Sequence, residues 1–182
     1  MQRAICNVLP KQRLRSLASG PRLYLALRRN VPMPDHAHRV VAACAVCEGH
    51  MKPCNIFTRE VAHCLGVALP GGYGDADEIL TYLDMHWRRL SPEQAILAAG
   101  KGVFVVAGLR SSDFSSKQNS GHVCVVIPGK HRHYPRVFST NAESGPYGKS
   151  RGDHPLNGFV FKHEDASRVQ YFALPTGATG EW

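Results

Sequence analysis

Residues 103–128, VFVVAGLRSSDFSSKQNSGHVCVVIP, contain two apolar runs separated by a polar loop. The first run, residues 103–109, is uninterrupted, which is typical of a strand buried on both faces. The second run, residues 122–128, is rich in valine and ends at a proline. β-Branched residues bounded by Gly, Pro and Ser favour strands. The stretch therefore predicts two strands of one sheet.

Three more strands are predicted towards the C-terminus. Their segments are RVFSTN at residues 136–141, GFVFKHE at 158–164 and VQYFAL at 169–174. A long Gly- and Pro-rich loop separates the first of these segments from the second. The C-terminal half of the chain therefore reads as a run of strands joined by loops.

The preceding part of the chain has helical patterns. An Ala-rich segment at residues 38–46 predicts a short helix, and residues 55–65 repeat apolar side chains at i, i+4, i+7 and i+8. Residues 75–89 begin with acidic side chains and end with two arginines, and Ser91 and Pro92 begin a further helix. Helices followed by strands indicate an α+β fold, with N-terminal helices packed on an antiparallel sheet of about five strands.

The charge of the chain is concentrated near its N-terminus. Residues 1–34 hold seven of the 22 basic residues and no acidic one, which leaves 15 basic against 14 acidic residues elsewhere. We expect residues 1–34 to be a basic leader that is disordered or not part of the domain. Residues 35–176 would form the domain and residues 177–182 a tail. The nearly neutral body argues against nucleic-acid binding, and no apolar run is long enough to span a membrane.

Cys54 lies between Pro53 and the start of a predicted helix. The unpaired N–H groups at a helix start favour the thiolate, which makes this cysteine a candidate nucleophile. A nucleophilic thiol needs a nearby base with an orienting partner. His122, which opens the second strand, is the candidate base. Ser139 and Asn141 point to one face of the next strand, and either is able to accept the other ring N–H of the histidine.

A second group of cysteines offers a non-enzymatic alternative. CAVC places Cys44 and Cys47 three residues apart, as in redox motifs or half of a zinc site. Cys54 and Cys64 would have to complete such a module, but their spacing matches no standard zinc pattern. Small apolar thiols on a buried helix are the simpler interpretation of CAVC.

Four segments, taken in order, resemble the first family of type VI secretion amidase effectors, which are small papain-like peptidoglycan hydrolases of the NlpC type. The segments are PCNIFTREVAHCLGVALPGG, GVFVVAGL, GHVCVVIPG and YPRVFST, and the similarity extends over about residues 40–174. It implies a papain-like fold with Cys54 as nucleophile and His122 as base. The third position falls near Ser139, where the best-known member has a cysteine, and Asn55 also departs from the small polar residue usual after the nucleophile.

The resemblance also implies a reaction and partners. The reaction would be amide hydrolysis in the peptide stem of peptidoglycan, between D-glutamate and meso-diaminopimelate, without a metal or organic cofactor. The expected partners are bacterial peptidoglycan, the type VI secretion apparatus and a cognate immunity protein that plugs the groove. We expect a monomer that is delivered into the periplasm of a target bacterium without a secretory signal peptide. A papain-like protease acting on another substrate class would use the same two residues.

Overall fold

The computed structural model describes residues 36–47, 53–70, 75–140, 152–158 and 160–175. The predicted leader, the predicted tail and Asn141 lie outside these residues. None of the helices in the described parts of the chain combines the length and the apolar composition needed to cross a membrane.

Five α-helices are described, and local sequence explains their positions. Asp75 begins the third helix by accepting a 3.0 Å hydrogen bond from the Glu78 N–H. Ser91 and Gln94 form a reciprocal capping box at the fourth, with Pro92 in its first turn. The helices are α1 (His36–Cys47), α2 (Cys54–Cys64), α3 (Ala76–His86), α4 (Pro92–Gly100) and α5 (His163–Ala166).

The strands form one open antiparallel sheet with the order β1-β6-β2-β3-β4-β5. The α+β class and the antiparallel sheet are as predicted, but the sheet has six strands rather than about five. Their bounds are β1 (Arg88–Leu90), β2 (Val105–Leu109), β3 (His122–His131), β4 (Tyr134–Ser139), β5 (Gly152–Pro155) and β6 (Gln170–Ala173).

Apolar side chains cover both faces of the sheet. One face carries Val123 and Val125 and packs against α1, α2 and α3. The other face carries Val126 and Val137 and packs against α4 and α5. Helices therefore lie on both faces, which explains why the strand at residues 103–109 reads as uninterrupted apolar sequence.

The prediction of a strand at residues 158–164 is wrong. Gly158 adopts φ +82°, and the N–H groups of Val160 and Phe161 both bond to the Leu156 carbonyl oxygen, so the chain makes a tight turn there. Phe161 contributes only an isolated bridge to Asn157 before α5 begins. Val160 and Phe161, two of the apolar residues that suggested a strand, are buried in this turn instead.

Two short edge strands were not predicted. Residues 88–89 were expected to be the basic last turn of a helix, but Trp87 is extended (φ −113°, ψ 157°) and β1 follows it. The Trp87 ring packs edge-on against Phe104 at 5.8 Å between centroids, which holds this bend. β5 lies in the predicted Gly- and Pro-rich loop and forms through pairing with β4.

Candidate active site

Cys54 is the first residue of α2. Pro53 occupies the capping position and supplies no side-chain hydrogen bond, and the first turn contains no acidic residue. The Pro53 carbonyl oxygen accepts the Phe57 N–H at 3.0 Å, which is the first hydrogen bond of the helix. The Phe57 ring stacks on Phe138 of β4, 5.7 Å between centroids, and docks the helix on the sheet. The positive end of α2 therefore lies at the Cys54 thiol.

The register of the sheet brings His122 and Ser139 together. Val125 of β3 is opposite Phe138 of β4, so Ser139 falls opposite Cys124. Since alternate residues of a strand share a face, His122 is on the same face as Cys124 and lies diagonally across from Ser139. Nε2 of His122 lies 3.0 Å from Oγ of Ser139, which is completely buried.

His122 also interacts with Cys54, and this interaction lowers the pKa of the thiol. Burial raises the pKa of Cys54, but the charge of His122, a hydrogen bond to its ring and hydrogen bonds with the backbone of Val123 and Asn55 lower it. The net result is a Cys54 pKa below its ordinary value. The arrangement therefore favours the thiolate form of Cys54.

One ring nitrogen of His122, Nε2, is directed at Ser139. This leaves Nδ1 as the nitrogen available to the Cys54 thiol, with which His122 interacts. When Nε2–H donates to the hydroxyl oxygen of Ser139, Nδ1 has a lone pair that accepts the thiol proton. The geometry thus suits a nucleophile, a base and an orienting group.

One aromatic ring contacts His122, and a second ring packs behind it. Phe161 is buried and meets the imidazole edge-on, 5.4 Å between centroids, and Phe114 stacks on Phe161 at 6.1 Å. The sequence analysis missed both residues. Phe114 is the only apolar residue in the loop SSDFSSKQNSG, and this isolation is the one signal that marks it. Phe161 had no such signal, because it lies in the segment that was predicted to be a strand.

The structure describes three of the four candidate site residues. Cys54, His122 and Ser139 are brought together, and their catalytic roles stay predictions. Asn141, the alternative orienting residue, lies outside the described part of the chain.

The cysteines of the alternative module do not gather around Cys54. Cys44 and Cys47 are buried on α1, and the Cys47 sulfur lies 3.5 Å from the Cys64 sulfur. In the described ranges, no group of three or more His, Cys, Asp or Glu side chains is arranged to hold a metal ion. The contact between Cys47 and Cys64 joins α1 to α2.

Comparison of the sequence with protein-family models and with curated proteins found no match. The resemblance to the amidase effectors therefore rests on the four quoted segments and their order.

Proposed function

We propose that this chain is a papain-like cysteine amidase that hydrolyses an amide bond in the peptide stem of bacterial peptidoglycan. The observation that carries the proposal is the contact of His122 with both Cys54 and Ser139. A thiol with a lowered pKa, a base and an orienting hydroxyl are the groups that nucleophilic amide hydrolysis requires.

The proposed reaction has two halves. In the first, the Cys54 thiolate attacks the amide carbonyl carbon, and backbone N–H groups at the start of α2 stabilise the oxyanion. His122 donates its proton to the leaving amine, and a thioester with Cys54 remains. In the second half, His122 takes a proton from water, the hydroxide attacks the thioester, and the carboxylic acid and the free thiol are released.

The papain-like part of the proposal is supported by topology. The candidate nucleophile starts a helix, the candidate base starts a central strand, and the orienting hydroxyl lies on the adjacent strand. Along the chain the cysteine comes first, the histidine second and the polar residue third, as in the Cys–His–Asn variant of the catalytic triad.

The substrate and the biological role come from the resemblance. We propose cleavage between D-glutamate and meso-diaminopimelate, delivery into a rival bacterium by a type VI secretion apparatus, and neutralisation by an immunity protein. Cysteine and histidine alone do not specify a substrate class. The proposal of peptidoglycan therefore needs a direct test.

The test is digestion of purified Gram-negative peptidoglycan fragments, followed by mass spectrometry. The unaltered protein is expected to release fragments split at the D-glutamyl bond, and Cys54→Ala is expected to release none. Cys44→Ala is the matched control, because it removes a different thiol, the buried one on α1. It should retain cleavage. Absence of cleavage by the folded protein would reject peptidoglycan as substrate, and loss of cleavage in both variants would reject Cys54 as the specific nucleophile.

A further inference from the structure

His122 lies at one end of the hydrogen-bond ladder between β2 and β3. It forms the last pair between β2 and β3, opposite Leu109, and a loop of residues 110–121 connects the two strands. The ends of a ladder open more readily than its centre. Opening here would move the imidazole away from Cys54 and Ser139, so something must hold this end closed.

Asp77, in the first turn of α3, binds the loop where it leaves β2. One carboxylate oxygen accepts the Ser111 N–H at 2.9 Å, and the other accepts the Ser111 hydroxyl at 2.5 Å. Hydrogen bonds to an ionised acceptor are about twice as strong as neutral ones. The neighbouring cation Arg110 is directed at Asp84 instead, 3.6 Å away.

The same carboxylate also lies against the other strand of the hairpin. A β-carbon on Gly121, the residue before His122, would overlap Asp77 Oδ1 and would lie 2.8 Å from the Leu109 carbonyl oxygen. A β-carbon on Gly108 would lie 2.8 Å from a methyl group of Leu80 on α3. Two glycines therefore allow α3 to approach both strands closely at the end that carries the histidine.

We propose that Asp77 is a positioning residue for His122. By binding Ser111 and packing on Gly121, its carboxylate closes the end of the hairpin and keeps the imidazole between Cys54 and Ser139. The inference rests on the proposed function, because it assumes that His122 activates Cys54. Displacement of a catalytic group by about 1 Å can lower a reaction rate by about a hundredfold. We expect the rate of hydrolysis by Asp77→Ala to fall by about that factor.

The test measures the alkylation rate of Cys54 by iodoacetamide as a function of pH, resolved by peptide mapping. Asp77→Ala should raise the midpoint of the profile by about one pH unit or more, because the thiolate loses its fixed imidazolium partner. Asp77→Asn keeps an oxygen that accepts the Ser111 N–H and should restore most of the reactivity. Ser111→Ala should shift the midpoint in the same direction by less, and it serves if Asp77→Ala does not fold.

Asp75→Ala is the matched control. It removes another carboxylate from the start of α3, where Asp75 caps the helix by accepting the Glu78 N–H. The substitution therefore weakens the helix but leaves the bonds between Asp77 and Ser111 in place. Equal midpoints in Asp75→Ala and Asp77→Ala would overturn the inference. Since alkylation needs no substrate, the failures are distinguishable. Slow alkylation of Cys54 in the unaltered protein would reject Cys54 as the nucleophile. Fast alkylation of Cys54 in both Asp variants would reject only the positioning role of Asp77.

Discussion

Replacing Ser139 with alanine should slow catalysis without weakening substrate binding. The substitution removes the hydroxyl that lies 3.0 Å from Nε2 of His122. Ser139 is completely buried, so water has little access to replace the lost group. While His122 holds the proton taken from Cys54, this hydrogen bond has a charged donor, and such bonds contribute roughly 1.5–3 kcal/mol. Loss of that energy from the transition state corresponds to a fall of about 10- to 150-fold in kcat/KM.

The assay is release of the split stem peptide over a range of substrate concentrations, so that kcat and KM are obtained separately. We expect kcat to carry the loss and KM to stay nearly constant, because Ser139 acts through His122. Thr140→Val is the matched control. Thr140 is the next residue and is also buried, and its hydroxyl has no hydrogen-bond partner within the described part of the chain. A Ser139→Ala enzyme within about twofold of the unaltered rate would refute the orienting role.

Three further predictions concern pH and stability. Because the pKa of Cys54 is lowered, its alkylation rate should rise with pH through a midpoint below that of an unperturbed cysteine in a model peptide, and a midpoint at or above that reference would contradict the assigned environment. Gly121→Ala should destabilise the fold by about 1–3 kcal/mol in chemical denaturation, whereas Gly100→Ala, where a β-carbon meets nothing within 4 Å, should change little; equal effects would show that crowding at Gly121 is relieved. Asp165→Ala should cost roughly 1.5–3 kcal/mol in the same assay, since its buried carboxylate accepts the Ser115 N–H at 2.6 Å. The exposed Asp153→Ala should cost no more than about 1 kcal/mol, and a comparable loss in the two Asp variants would count against that burial argument.

Local patterns were sufficient to predict the elements that carry the candidate site. The 3.6-residue periodicity at residues 55–65 corresponds to α2, and the apolar runs at 103–109 and 122–128 correspond to β2 and β3. Each of these patterns arises from the element's own burial, so the sequence of the element records it. The position of Cys54 at a helix start followed from the same reasoning.

Features that depend on distant residues were not predictable in this way. β5 is a short, polar edge strand that exists because β4 offers it hydrogen-bond partners. Phe161 contacts His122 from a segment nearly 40 positions away, after a turn that its apolar neighbours concealed. Asp77 looked like an ordinary residue of a helix first turn, and only the tertiary structure connects it with Ser111. These contacts are set by how elements pack, which no window of local sequence contains.

The central claim is that His122 activates Cys54. The most direct measurement is the alkylation rate of Cys54 at pH 6 in the unaltered protein and in His122→Ala, with each cysteine resolved by peptide mapping. The lowered pKa predicts that Cys54 is labelled faster in the unaltered protein than an unperturbed thiol would be at this pH, and that loss of the imidazole slows this labelling about tenfold or more. Equal labelling rates in the two proteins, both folded, would contradict the account.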